Sequence, residues 1–114
     1  MSWNDSPVDF DLKKVLEQSK DNPVFYVQYA HARCASALKR GQAEVPGLDI
    51  TKVSSGTVDL AALDEPAEID LIRQIAKMPR MIEGAARDRE PHRVTYYLYD
   101  LASSFHQLWN RGND

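Results

Sequence analysis

The stretch DNPVFYVQYAHARCASALKRG, residues 21–41, decides the fold of this chain. Asn22 is a favoured helix cap because its side-chain oxygen accepts from the first free backbone N–H groups, and Pro23 fits the first helical position, where no N–H is needed. No glycine or proline then interrupts the stretch until Gly41, which suits the left-handed end of a helix. The stretch therefore predicts a helix from Pro23 to Arg40.

The residues on both sides of this helix also favour helices over strands. A short helix ending near Ser19 is predicted upstream, whereas residues 42–61 combine turn-forming residues with no sustained period and predict a loop. Downstream, Asp64 is the candidate cap of a third helix, Pro79 should end or kink that helix, and Pro91 opens the last one. No stretch alternates apolar and polar residues as a strand does, so we expect an all-α bundle.

The last predicted helix carries an apolar seam at steps of four and three residues, formed by Val94, Leu98, Leu101, Phe105 and Leu108. This spacing predicts a face that packs against neighbouring helices. With its aromatic residues, the helix has more apolar area than two or three partner helices would cover. We therefore expect either that partner helices are missing or that a second copy buries Leu101, Phe105, Leu108 and Trp109.

The composition excludes several classes of protein. With 114 residues the chain is long enough for one small domain, and no apolar run approaches the ~20 residues that span a bilayer. It shows no secretion signal, and Cys34, its single cysteine, cannot form an internal disulfide or a cysteine-based metal cage. We therefore expect a cytoplasmic domain without membrane contact. Because the net charge is −3, any RNA-binding face must be local.

The helix predicted from residue 23 has one face suited to RNA. On a helical wheel Tyr26 and Arg33 lie about 20° apart, and Tyr29 lies about 60° away. Aromatic rings stack on unpaired bases and a guanidinium binds phosphate or base edges, so this face has the chemistry that single-stranded RNA requires. The alternative is that the tyrosines pack at the edge of the core beside a surface arginine. The opposite face, which we expect to pack, carries Val24, Val27, His31, Cys34 and Leu38.

Three other candidates have weaker patterns. Residues 87–93, RDREPHR, place three arginines at a helix start, a position that favours anions. The alternative is a solvated turn in which neighbouring acidic residues neutralise these arginines. His31 and Cys34 are spaced for a metal or a nucleophile pair, but no third group is evident, so packing is the preferred interpretation. His106 is interpreted as an ordinary polar helix residue. No phosphate-binding, metalloprotease or serine-hydrolase motif occurs, so the residues themselves predict no enzyme activity.

Residues 21–33, DNPVFYVQYAHAR, closely resemble a signature of the arginyl-tRNA synthetases at the start of their C-terminal anticodon-binding helical domain. Residues 8–33 look like the bacterial form of that junction, and residues 63–112 look like the helices that follow it. The resemblance implies the all-α anticodon-binding bundle of class I aminoacyl-tRNA synthetases, truncated at both ends. Residues 1–20 would be a short helical junction from the catalytic part, and residues 21–114 the helical domain without its C-terminal helices.

The resemblance also implies a function. Complete enzymes of the family activate arginine with ATP and esterify it to its tRNA, but the HIGH-like and KMSK-like signatures that handle ATP do not occur here. We therefore expect this chain to be inactive by itself, to hold no cofactor or metal, and to recognise the anticodon loop of an arginine tRNA. Tyr26, Tyr29 and Arg33 match family positions that face this loop, and Tyr97 matches one near it. The alternative is a helical interaction or dimerisation module that binds no RNA.

Overall fold

A computed structural model describes residues 22–54, 56 and 58–111. Within these ranges the chain forms helices and no strand, which confirms the all-α prediction. The short helix predicted to end near Ser19, and the junction assigned to residues 1–20, lie outside the described residues. The helical segments are α1 (Pro23–Glu44), α2 (Thr51–Ser54), a 3-10 helix (Leu60–Ala62), α3 (Pro66–Ala76), α4 (Met78–Arg87) and α5 (His92–Arg111).

Helix α1 begins as predicted but ends later. The Oδ1 atom of Asn22 accepts hydrogen bonds from the backbone N–H groups of residues 24 and 25 at 3.0 and 3.4 Å. The predicted end at Gly41 is wrong, because the helix continues through Gly41 to Glu44. Val45 precedes a proline, which disfavours the helical conformation, and it is extended with φ −106° and ψ 108°. Gly41 instead leaves room for Leu48, whose Cδ2 would lie 3.1 Å from a Cβ at residue 41.

The connection from residue 42 to residue 61 is more helical than predicted. It contains the single turn of α2 and most of the 3-10 helix. The Oδ1 atom of Asp49 accepts from the backbone N–H of Thr51 at 3.0 Å and from its hydroxyl at 2.6 Å. Asp59 caps the 3-10 helix in the same way, through the N–H of Ala61. Such one-turn elements are too short to show a hydrophobic period, so the sequence pattern did not reveal them.

The break between α3 and α4 confirms the prediction made from Pro79. Helix α3 ends at Ala76 and α4 begins at Met78, with the proline in its first turn. The predicted cap Asp64 is wrong by one residue: Glu65 is the cap, and its backbone N–H donates to the Glu68 carboxylate at 3.3 Å.

Helix α5 is the centre of the bundle, since α1, α3 and α4 all pack against it. Small buried residues allow the close approach, with Ala30 on α1, Ala85 on α4 and Ala102 on α5. Helix α3 runs antiparallel to α5, because Tyr97 contacts the end of α3 and Arg111 lies 3.5 Å from Glu65 at its start.

The predicted packing face of α1 is largely open. Val24 and Leu38 are 56% and 51% exposed, and Cys34 is exposed as well. With residues of α3 and α5, including Ile75 and Leu98, part of this face lines an open apolar groove. The prediction that this face packs is therefore wrong for most of its residues. Helix α1 instead contacts α5 through the side that carries Tyr26, Ala30 and Arg33.

Candidate nucleic-acid interface

Arg33 lies at the centre of a cluster of aromatic side chains where α1 meets the second half of α5. Its Nη1 donates to Nδ1 of His106 at 3.1 Å, and its Nη2 donates to the hydroxyl of Tyr29 at 2.6 Å. The guanidinium carbon is 4.2 Å from the ring centre of Tyr29 and 5.0 Å from that of Trp109. These contacts hold the charged end of a flexible side chain in one place. We call Tyr26, Tyr29, Arg33, His106 and Trp109 the Arg33 cluster.

The two tyrosines of α1 differ in accessibility. Tyr29 is 42% exposed although its ring is 5.4 Å from the imidazole of His106. Tyr26 is half-buried, because its ring centre is 4.6 Å from His106 and 5.0 Å from Tyr99. The structure therefore brings together three of the four predicted site residues, and Tyr29 presents the more accessible ring.

His106 is buried at 6% exposure, so its interpretation as an ordinary polar helix residue is wrong. Its Nδ1 atom accepts a hydrogen bond from Arg33, and its Nε2 atom lies 3.3 Å from the backbone carbonyl oxygen of Tyr26. Its imidazole thus joins α1 to α5 at two points. The sequence contains a signal for this arrangement, since Tyr99 and His106 are seven residues apart and so share a face of α5.

Tyr97, the fourth predicted site residue, lies apart from the Arg33 cluster. Tyr97 and His106 are nine positions apart, which places the two on opposite sides of α5. Tyr97 is 6% exposed, and its hydroxyl donates to the carbonyl oxygen of Gln74 at 2.6 Å, with that of Ile75 at 3.3 Å. This burial raises the pKa of the Tyr97 hydroxyl. In this structure Tyr97 has a packing contact with the end of α3, and its predicted proximity to RNA stays untested.

Two of the three arginines of residues 87–93 are paired with neighbouring acids. Arg93 lies 2.7 Å from Glu90 and 3.2 Å from Asp88, and Arg87 lies 3.2 Å from Asp88. Hydrogen bonding to Arg87 lowers the pKa of the Asp88 carboxyl. These contacts favour the solvated-turn interpretation over an anion site.

The pair His31 and Cys34 gives no support for an enzyme site. Partial burial raises the pKa of the Cys34 thiol, which disfavours the thiolate that nucleophilic catalysis needs. Among the residues that the structure describes, no three histidine, cysteine or acidic side chains are grouped so as to hold a metal ion. Within the same ranges, no helix has the length and apolar character to cross a membrane.

Comparison with known proteins decides the family. Residues 27–113 match the DALR anticodon binding domain, so the match covers most of the chain and every member of the Arg33 cluster except Tyr26. The chain belongs to the DALR anticodon binding domain family. No solved structure matches this domain significantly.

This DALR anticodon binding domain is similar to segments of longer proteins named arginine–tRNA ligase. It is 57% identical over 111 residues to the protein of Cereibacter sphaeroides strain ATCC 17029, a match that covers 97% of this chain and 19% of the relative. It is 56% identical over 108 residues to that of Rhizobium rhizogenes, covering 95% and 18%. The predicted resemblance to bacterial arginyl-tRNA synthetases is thereby confirmed, and the chain spans about a fifth of the length of these relatives.

Proposed function

We propose that this domain binds the anticodon loop of an arginine tRNA through the Arg33 cluster. The observation that supports the proposal is the fixed guanidinium of Arg33, held between the rings of Tyr29 and Trp109 where α1 meets α5. A positioned cation beside accessible aromatic rings suits unpaired nucleotides, which offer both phosphates and flat bases.

Tyr29 and Arg33 have the clearest roles in this proposal. The accessible ring of Tyr29 would stack on an unpaired base that leaves the stack of the loop, a contact typically worth about 1–3 kcal/mol. Arg33 uses two of its five N–H donors in the contacts to Tyr29 and His106. Its other donors remain for a phosphate oxygen or a base edge. Tyr29 thus supplies shape-tolerant stacking, and Arg33 supplies charge.

The roles of Tyr26 and Tyr99 follow from their contact with each other. The ring of Tyr26 contacts Tyr99 and His106 and is less exposed than that of Tyr29, so RNA has less access to it. Tyr99 is 40% exposed and extends the aromatic surface beyond the residues predicted from the sequence. We propose Tyr99 as an additional base-stacking residue and Tyr26 as its support.

We further propose that the chain acts as part of a cytoplasmic arginine–tRNA ligase. Its relatives carry that name, and they are about five times longer than the matching segment. ATP binding and aminoacylation would then reside in the remainder of the enzyme, while this domain contributes recognition of the tRNA. The chain itself would hold no cofactor.

The test is a fluorescence titration of the chain with the anticodon stem-loop of an arginine tRNA at low salt. Trp109 lies against Arg33, so bound RNA should change its emission. We expect saturable binding that weakens when the anticodon bases are changed, when Tyr29 is replaced (Tyr29→Ala), and when salt is raised. Tyr97→Phe is titrated beside it, because Tyr97 lies on the opposite side of α5, and weaker binding by that variant would support its predicted proximity to RNA. Equal binding of both loops, or equal binding by Tyr29→Ala, would contradict the proposal.

A second candidate is self-association through the apolar groove between α1, α3 and α5. The half-exposed side chains of Ile75 and Leu98 line this groove and favour it, since contiguous apolar surface commonly marks an interface. Of the residues predicted to bury against a second copy, Leu101 and Phe105 line this groove, whereas Trp109 contributes to the Arg33 cluster. Light scattering on the chain and on Leu98→Asp tests the idea: a dimer mass that falls in the variant supports it, and a monomer mass for both removes it.

A further inference from the structure

The contacts of His106 assign its tautomer. A guanidinium can only donate hydrogen bonds, so Nδ1 of His106, 3.1 Å from Nη1 of Arg33, must be the acceptor. In a neutral imidazole the other nitrogen then carries the proton. Nε2–H therefore donates to the carbonyl oxygen of Tyr26 at 3.3 Å. His106 is held in the neutral Nε2–H form by one partner on each side.

We propose that His106 is a positioning residue, which fixes the guanidinium of Arg33 in the orientation that RNA binds. This inference rests on the proposed function of the Arg33 cluster. An arginine side chain has many rotamers, and a binding group that is already held in place loses less freedom when its ligand arrives. The buried Nδ1 is a fixed acceptor on α5, whereas the other contacts of Arg33 are to the exposed Tyr29 and the half-buried ring of Trp109.

The same geometry predicts a pH dependence. Protonation at Nδ1 replaces the acceptor with a second N–H donor, so His106 can no longer accept from Arg33 and the two cations repel each other. The ionisable side chains that contact His106 are Arg33, Tyr26 and Tyr29, all from α1. Among the described hydrogen bonds, ion pairs and ring contacts, no carboxylate from α3, α4 or α5 meets the imidazole. Acidification should therefore release Arg33 and weaken RNA binding.

Two substitutions of His106 separate its polar contacts from its packing. His106→Gln keeps one acceptor and one donor but does not titrate, and His106→Phe keeps a ring but removes both. We expect His106→Phe to weaken stem-loop binding about tenfold, in line with the loss of a hydrogen bond to a charged group. His106→Gln should stay within about threefold of the unmodified chain.

A double-mutant cycle with Arg33→Ala tests whether His106 acts through Arg33. In the Arg33→Ala background, His106→Phe should change the affinity by less than about twofold. The affinity of the unmodified chain should fall on acidification, and His106→Gln should lack that part of the fall. His31→Gln is the matched control, because His31 is an exposed histidine of α1 and its variant should keep the full pH dependence.

The outcomes distinguish this inference from the proposed function. Additive losses in the cycle, or the same pH profile in His106→Gln, would overturn the positioning role while leaving RNA binding intact. No binding by the unmodified chain would overturn both. Should His106→Phe fail to fold by circular dichroism, 15N NMR of the imidazole in the unmodified chain decides: the Nε2–H tautomer is expected, and the Nδ1–H tautomer contradicts the geometry.

Discussion

Removal of the Tyr97 hydroxyl should destabilise the fold without weakening RNA binding. In Tyr97→Phe the ring stays in its buried position, but the hydrogen bond to the carbonyl oxygen of Gln74 at 2.6 Å is lost. The contact at 3.3 Å to the carbonyl of Ile75 is lost with it. In a continuous helix the carbonyl of Ile75 would accept a hydrogen bond from the backbone N–H of residue 79. Residue 79 is a proline and has no N–H, so the Tyr97 hydroxyl contacts that carbonyl instead. Tyr97 thus bonds to carbonyls at the break between α3 and α4.

The expected loss of stability is about 1–2 kcal/mol. An ordinary buried hydrogen bond contributes about 1 kcal/mol, and a buried carbonyl left without a partner costs roughly 1–3 kcal/mol. The lower part of the combined range applies here, because Gln74 also accepts from the backbone N–H of Lys77 at 3.3 Å. In a domain of about this size, each kcal/mol lowers Tm by about 4–8 °C.

Urea and thermal unfolding followed by circular dichroism measure this loss, with Tyr99→Phe as the matched control. Tyr99 is on the same helix but exposed, so its variant should change stability by less than about 0.5 kcal/mol. Equal stability of the two variants would refute the structural role of the Tyr97 hydroxyl. A Tyr97→Phe variant of unchanged stability but weaker stem-loop binding would instead place Tyr97 at the RNA.

Three further predictions follow from single contacts. Burial raises the pKa of the Tyr97 hydroxyl in the folded state above its usual value of 10.0. The hydroxyl therefore contributes its full stabilisation below pH 10.0, and this stabilisation is lost as the pH rises through the folded-state pKa. Unfolding titrations above about pH 10 should show the loss in the unmodified chain and not in Tyr97→Phe. Gly41→Ala should stabilise the chain by about 0.5–1 kcal/mol in urea unfolding, because Gly41 is inside α1. The exposed side chain of Leu48 can move aside to make room for the added methyl group. A less stable variant would indicate that Gly41 has the left-handed conformation of a helix end. Cys34→Ser should change stability by less than about 0.5 kcal/mol and leave stem-loop binding unchanged, because the side chain is exposed and takes part in none of the described contacts of Arg33.

Local signals in the sequence predicted the helix starts and breaks well. Asn22 with Pro23, Pro79, and Pro91 each act through their own neighbours, either by capping free N–H groups or by removing one. The errors were also local. Gly41 does not end α1, because a glycine can continue a helix, whereas Val45 precedes Pro46 and such a residue rarely can.

The candidate site was predicted in part. Tyr26, Tyr29 and Arg33 share a face of α1 by spacing alone, and the structure brings them together. His106 and Tyr99 were missed because they come from α5, more than 60 residues away along the chain. No spacing within α1 can indicate which residues of another helix will meet it.

The sequence by itself determined that the chain is helical, where most helices begin, and which family it resembles, because capping, proline geometry and a long motif are properties of adjacent residues. Only the tertiary structure decided which face of α1 packs. An apolar stripe and an aromatic stripe on the same helix can each pack against a neighbour. Which of the two is buried depends on the shape and chemistry of the neighbouring helix surface. Here α5 supplies His106, Tyr99 and Trp109 to the aromatic side, so Arg33 is positioned there and part of the apolar side lines an open groove.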